Sequence, residues 1–257
     1  MSTRTREASR IIPDPWLATT VTIPASRCGP PGMANGGWVC GTVAGHLGAG
    51  PVEVTLRAPT PLDTPLELRA ADDDASLSLG DDLLAGARRS PGPVGAPAPV
   101  DWDEASAATA GFHGHREHPF AGCFSCGTDR AVGDGLRLFP GPVGGRHDRL
   151  ATIFTPEAAH AGPHGRLPAA AVWAALDCPT AWVNMGDGVT ALLGRLRAEV
   201  RGELRPGTSY LVVAESHGVD GRKAYGRAAI YHRDGRLLAA SEATWIRVGT
   251  GGSSVPG

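Results

Sequence analysis

The sequence has few aromatic residues, no long apolar run and no excess of charge of either sign. Aromatic residues make up 5% of the 257 residues and the formal net charge is -2 at pH 7. The chain therefore lacks a basic surface for nucleic acid or anionic lipid. No apolar stretch reaches the roughly 20 residues of a membrane span, and residues 1–10 lack the apolar core of a secretory signal. We expect a cytoplasmic protein with no nucleic-acid or membrane partner.

The sequence contains few cysteines, and their number is odd. The five cysteines are Cys28, Cys40, Cys123, Cys126 and Cys178. Because an odd number in a sequence without an export signal argues against a disulfide framework, we expect reduced thiols. Hydrophobic residues make up 42% and charged residues 19%, which is typical of a folded chain, and the length allows a large core.

Each half of the sequence predicts a strand, a helix and then an antiparallel meander of four strands. In the first half we expect a helix that begins at Asn35-Gly36-Gly37, with Asn35 as its N-cap and an apolar body over residues 38–47. We expect strands at 20–23, 52–58, 66–70, 75–79 and 83–88. In the second half we expect a helix over 167–182 and strands at 150–154, 191–200, 210–216, 223–232 and 236–246. Residues 90–100 are rich in proline, glycine and alanine, which predicts a linker that need not pack.

Short matches between the halves indicate a duplication. The segment DLLAGA at 82–87 resembles RLLAAS at 236–241, and LRA at 56–58 recurs at 196–198. Chance similarity of short strands is the alternative explanation. We expect an α+β fold with two antiparallel sheets, each wrapping a central helix. The expected divisions are a first unit at 1–89, a linker and Cys/His-containing insert at 90–148, a second unit at 149–248 and a tail at 249–257.

Two helix segments carry a recognisable motif, Asn35-Gly36-Gly37 at the start of the first helix and Ala174-Ala175-Leu176-Asp177 within the second. These segments resemble the hot-dog proteins, especially the small bacterial acyl-CoA thioesterases of the phenylacetate-pathway type. In that family a His-Gly-Gly turn opens the central helix and an Asp follows about two turns later. Two subunits pair so that the turn of one faces the Asp of the other. The resemblance implies a double hot-dog fold.

Each half keeps a different part of that motif. The first half has the glycine turn, but Val43 stands where the Asp would be. The second half has Asp177, but Ala169-Ala170-Ala171 stands where His-Gly-Gly would be. The resemblance therefore implies one composite site, formed by the turn of the first unit and the acid of the second.

The implied activity is hydrolysis of an acyl thioester, either acyl-CoA or a carrier-bound acyl group, without a cofactor. Asp177 would act as general base or nucleophile, and Gly37 would be the oxyanion donor, because backbone N–H groups at a helix start stabilise developing negative charge. Asn35 would orient the carbonyl or the water. The other expected substrate contacts are Gly36, Trp38, Trp173 and Thr180.

Other interpretations stay open because the usual imidazole is absent from the turn. Asn35 and Asp177 can be capping or locally hydrogen-bonded residues of a protein that binds an acyl group or scaffolds a partner without turnover. A hydratase or dehydratase of acyl thioesters is a further alternative. His160 and His164 lie in a predicted loop from which either could replace the imidazole. A homodimer is also possible on this resemblance.

The central insert contains a Cys-Phe-Ser-Cys segment that ends at Cys126. Two residues between Cys123 and Cys126 is the spacing of a zinc knuckle. A closed site needs four ligands, and only one such pair occurs. We expect two reduced thiols and no metal here. A zinc site formed by Cys123, Cys126 and His118 is the alternative.

Overall fold

The computed structural model describes residues 16–248, so the predicted tail at 249–257 lies outside the described residues. Strand β1, helix α1 and strands β2 to β5 span Leu17–Thr22, Gly36–Ala44, Val52–Leu56, Pro65–Ala70, Asp74–Leu79 and Asp82–Arg89. Helix α2 and strands β6 and β7 span Trp102–Ala108, Gly141–Val143 and Arg146–Phe154. Helix α3 and strands β8 to β11 span Ala169–Trp182, Thr190–Val200, Tyr210–Asp220, Lys223–Tyr231 and Leu237–Val248.

Within residues 16–248 the strands form one antiparallel sheet of eleven strands, in the order β1-β3-β4-β5-β2-β8-β11-β10-β9-β7-β6. The strand order of the first half, β1-β3-β4-β5-β2, has its counterpart in β7-β9-β10-β11-β8, and β6 extends the far edge. Residues 52–55 of β2 pair with residues 195–198 of β8. The prediction of two sheets is wrong, because this pairing joins the two halves into one.

Both predicted central helices are confirmed, and α1 has the predicted cap at Asn35 but ends at Ala44, while α3 begins at Ala169. Helix α1 begins at Gly36 because the side chain of Asn35 caps it, accepting the N–H of Trp38 at 2.9 Å. Helix α3 begins after Pro168 and continues through Pro179 to Trp182. Its residues 170–182 are all buried, as expected for a helix that is apolar on every side. Among the helices within residues 16–248, none has the length and apolarity to cross a membrane.

The segment predicted as a linker packs against the outer face of the sheet. The guanidinium of Arg197 on β8 donates to the hydroxyl of Ser90 at 2.8 Å and to the carbonyl oxygens of residues 91–93 at 2.7–3.1 Å. It also donates to the carboxylate of Glu242 at 3.0 Å, and Val94 is buried. The prediction that this segment need not pack is therefore wrong, because Arg197 forms hydrogen bonds with several of its carbonyl groups.

The central insert folds onto the sheet edge and onto α3. Helix α2 was not predicted from the sequence. It is a short helix capped by Asp101, whose carboxylate accepts the N–H groups of Asp103 and Glu104. Further along, the hydroxyl of Ser125 donates to the carbonyl oxygen of Ala174 at 2.6 Å. This bond holds the cysteine-containing turn of the insert against α3.

We expect Arg197→Lys to open the segment at 90–100. A lysine keeps the charge but cannot bridge several carbonyl oxygens with one planar group, and each hydrogen bond to a charged group contributes about 1.5 kcal/mol or more. Limited proteolysis should cleave this segment about tenfold faster in the variant. Arg205→Lys, a change to an exposed residue paired with Glu203, is the control. Equal cleavage rates in both variants would contradict this role of Arg197.

Candidate functional site

Helices α1 and α3 cross in close contact at small residues. A Cβ atom added at Gly37 would lie 2.5 Å from the Cβ of Asp177 and 2.8 Å from the Cα of Ala174. A Cβ atom at Gly41, one turn later, would lie 2.6 Å from the Cα of Ala170. Because side chains do not approach so closely, only glycine permits this helix spacing. The contact brings the start of α1 against the middle of α3.

The carboxylate of Asp177 bonds directly to the glycine turn. Its Oδ2 atom accepts the backbone N–H of Gly37 at 2.9 Å and the side-chain Nδ2 of Asn35 at 3.2 Å. The structure thus brings together the three residues that the sequence suggested as a composite site. The carboxylate also lies at the positive end of the α1 dipole, which favours negative charge there.

Asp177 is almost completely buried, with 1% of its surface exposed. Burial raises the pKa of Asp177 to about 7, while the hydrogen bond from Gly37 acts in the opposite direction. Its second oxygen, Oδ1, is buried and has no hydrogen-bond partner within residues 16–248. A buried polar atom without a partner is costly, so this oxygen is a position at which a further polar group can bind.

A cavity of about 320 Å³ lies beside this carboxylate. Its wall is mainly apolar, and typical apolar lining residues are Val39, Leu56, Phe120, Trp182, Leu193 and Trp245. The polar and charged groups on the wall include Asn35, Asp177 and the exposed Arg57. An apolar cavity with few polar groups is the usual form of a small-molecule site.

Three of the expected substrate contacts do not line this cavity. Trp38 packs edge-on against a phenylalanine ring of the insert, with ring centroids 5.2 Å apart. Trp173 is buried in the contact between the helices. Thr180 is also buried, and its hydroxyl donates to the backbone carbonyl of Asp177 at 2.6 Å. Of the expected contacts beyond the three composite-site residues, Gly36 does line the cavity.

The histidines considered as substitutes for the missing imidazole lie away from the cavity wall. The Nδ1 atom of His160 accepts the N–H of Glu157 at 3.2 Å, and His164 is exposed. The imidazole that lines the cavity belongs to His118. Its Nδ1 accepts the N–H of Phe120 at 3.0 Å, and its Nε2 lies 3.1 Å from the carbonyl oxygen of Cys126. Both ring nitrogens of His118 therefore have protein partners.

Three buried cysteines also line the cavity, and all five cysteines of the chain are free thiols. The sulfurs of Cys123, Cys126 and Cys178 lie within 4.8 Å of one another. The alternative zinc set with His118 does not form, because that ring bonds to the backbone instead. Cys178 was not among the residues predicted for this group. Its place next to Asp177 in α3 was the available signal.

No protein-family model matches the chain, and no curated protein matches it in sequence. Several solved structures do match its fold. A tesB protein of Mycobacterium avium subsp. paratuberculosis is 12% identical, with 90% of this chain and 93% of that chain covered and a TM-score of 0.57. A candidate thioesterase II of Thermobifida fusca is 15% identical, with 92% and 94% covered and a TM-score of 0.58.

A third matching structure is a hot-dog protein of unknown function from Alicyclobacillus acidocaldarius. It is 14% identical, with 91% of this chain and 93% of that chain covered and a TM-score of 0.52. At such low identity these likenesses establish the fold and not the activity. The chain has a hot-dog fold, as the resemblance in the sequence implied.

We expect Gly37→Ala to destabilise the protein by about 1–3 kcal/mol, since the added methyl group would overlap α3 and such overpacking has a cost of this size. Urea unfolding measures the change. Gly86→Ala is the matched control, because a Cβ atom at Gly86 meets no atom within 4 Å. Similar stability losses in both variants would contradict the close helix contact.

Proposed function

We propose that this protein hydrolyses an acyl thioester in the cavity beside Asp177. The observation that carries this proposal is the environment of the buried Asp177 carboxylate. The start of α1 holds this carboxylate, an apolar cavity lies beside it, and one of its oxygens has no hydrogen-bond partner in the described part of the chain. A titratable group in such a cavity is the usual starting point for assigning a reaction. The fold likeness to the tesB protein of Mycobacterium avium adds support.

In this mechanism Asp177 is the general base. Its Oδ1 atom takes a proton from water as the water oxygen bonds to the thioester carbonyl carbon. The carbonyl oxygen becomes an oxyanion, and collapse of this tetrahedral intermediate breaks the carbon–sulfur bond. The proton held by Asp177 then passes to the leaving thiolate, so that the products are a carboxylic acid and a thiol.

The donor roles differ from those that the family resemblance implied. The N–H of Gly37 bonds to Asp177, so in this proposal it positions the base and does not receive the oxyanion. Gly36, the residue before Gly37, is the first residue of α1 and lines the cavity. Its backbone N–H is therefore the proposed oxyanion donor. Asn35 holds the same carboxylate oxygen as Gly37 and is a positioning residue.

The wall of the cavity favours an acyl chain as one part of the substrate. Its apolar residues would contact the chain, and the exposed Arg57 would pair with a phosphate of coenzyme A or of a phosphate-bearing carrier. The choice between these two carriers, the cytoplasmic location and the homodimer stay predictions.

We also propose that the two halves are diverged copies of one hot-dog unit. The equivalent strand orders on either side of the β2–β8 pair support this, as do the short repeated segments. The proposed division keeps a first unit at 1–89, an insert at 90–148 and a second unit at 149–248. The composite site then has the turn from one copy and the acid from the other.

A second candidate function is binding of an acyl thioester without turnover. The bond between Gly37 and Asp177 favours it, because this bond occupies the expected oxyanion donor. The two functions differ in one measurable result. A binder is stabilised against heat by an acyl-CoA but releases no thiol.

We expect Asp177→Asn to lower kcat for thiol release from acyl-CoA about 10²- to 10⁴-fold, the range that general-base catalysis contributes. The asparagine keeps the size of the side chain and an oxygen that accepts the N–H of Gly37, but it cannot take a proton from water. Thiol release from a panel of acyl-CoAs of different chain length measures the effect. Asp148→Asn, at an exposed carboxylate paired with Arg146, is the matched control.

Equal kcat values in the wild type and Asp177→Asn would contradict the assigned role of this carboxylate. Thermal stabilisation of the wild type by acyl-CoA with no thiol released would favour the second candidate function. Retained stability of Asp177→Asn in urea is the check that a loss of activity comes from the missing base and not from unfolding.

A further inference from the structure

The segment from Cys123 to Gly127 forms a tight turn that presents two sulfurs in one direction. The N–H of Gly127 donates to the carbonyl oxygen of Cys123 at 2.8 Å. A Cβ atom at Gly127 would lie 2.4 Å from that oxygen, so the turn requires glycine. Two residues separate Cys123 from Cys126, which is the spacing at which both sulfurs can bind one metal ion.

Helix α3 supplies a third sulfur to the same point. The Sγ atoms of Cys123 and Cys178 are 3.7 Å apart, and all three sulfurs are within 4.8 Å of one another. With zinc–sulfur bonds of about 2.3 Å, the sulfurs of a tetrahedral site lie about 3.8 Å apart. The distance between Cys123 and Cys178 matches this spacing, and the other two sulfur pairs are within about 1 Å of it at most.

Polar side chains beside the sulfurs position the turn and one of its thiols. The Nδ2 atom of Asn35 donates to the sulfur of Cys123 at 3.7 Å. The hydroxyl of Ser125 ties the turn to α3 through the carbonyl of Ala174. Such outer contacts orient the ligands of a metal site and neutralise part of their charge.

We propose that Cys123, Cys126 and Cys178 bind one zinc ion whose fourth coordination position faces the cavity. All three residues line the cavity. Within residues 16–248, no histidine, cysteine or acidic side chain adds a fourth ligand to this group. Three protein ligands with an open position are the form of a catalytic zinc site. Thiolate ligands select zinc over hard cations such as Mg²⁺.

This site replaces the ligand set suggested by the sequence and does not depend on thioester hydrolysis. A zinc ion here would join the insert to α3, because two ligands come from one and the third from the other. The open position would bind water or an exogenous thiolate from the cavity. Zinc binding is measured without any assay of turnover, so it stands or fails separately from the role of Asp177.

The first test measures how much zinc the full chain binds. The protein is reduced, stripped of metal with a chelator and then titrated with zinc in competition with a chromophoric chelator. We expect one zinc ion per chain. Cys178→Ser should lower zinc affinity by more than the roughly 10- to 100-fold that loss of an outer contact costs. Cys28→Ser, which changes a free and partly exposed cysteine outside the cluster, is the matched control and should bind as the wild type does.

The second test is substitution with cobalt(II), which reports the ligands directly. We expect a thiolate-to-cobalt charge-transfer band and the visible absorption of a tetrahedral ion in the wild type and in Cys28→Ser. Both should be lost or strongly reduced in Cys178→Ser and Cys123→Ser. Circular dichroism identifies any variant that has failed to fold, and Cys126→Ser then serves in its place.

Three results would overturn the proposal. The first is that the reduced wild type binds no zinc, and the second is that the cobalt spectrum is unchanged in Cys178→Ser. The third is that Cys28→Ser loses the metal as completely as the cluster variants do. Stoichiometric copper or iron in place of zinc, bound by the same thiols, would overturn the choice of metal.

Discussion

The close contact between α1 and α3 is the constraint on which the rest of the site depends. Glycine at positions 37 and 41 lets the two helices approach more closely than any other residue would permit. That approach places the backbone N–H of Gly37 within hydrogen-bond distance of Asp177. It also lets a carboxylate stay buried, because the helix start supplies the donors that water would otherwise supply.

The central insert completes the cavity that the two helices open. The bond from Ser125 to the Ala174 carbonyl fixes its cysteine turn against α3, and Asn35 contacts both Asp177 and Cys123. One asparagine therefore caps α1 and joins the acid to the thiol group of the insert. The insert therefore supplies part of the cavity wall, including Phe120, Cys123 and Cys126.

Local pattern was sufficient for most elements and insufficient for their assembly. Strand β3 alternates exposed and buried residues along its whole length, which is why its period of two was readable from the sequence. The β2–β8 pair joins residues distant in the chain, and no local pattern encodes it. Asp177 was identified through a family motif. Cys178 was not identified as part of the thiol group, because only the folded α3 brings it to the turn of Cys123. The packing of residues 90–100 was not predicted either, because it depends on Arg197, a strand residue far along the chain.

The central claim is that the carboxylate and the glycine turn act on one substrate in one cavity. A crystal structure with a non-hydrolysable ketone analogue of an acyl-CoA, in which a CH2 group replaces the thioester sulfur, tests it most directly. The account predicts that the analogue's carbonyl oxygen lies within hydrogen-bond distance of the Gly36 N–H, with the carbonyl carbon facing Oδ1 of Asp177 and the acyl chain against the apolar wall. An analogue bound on another surface, with this cavity unaltered, would contradict it.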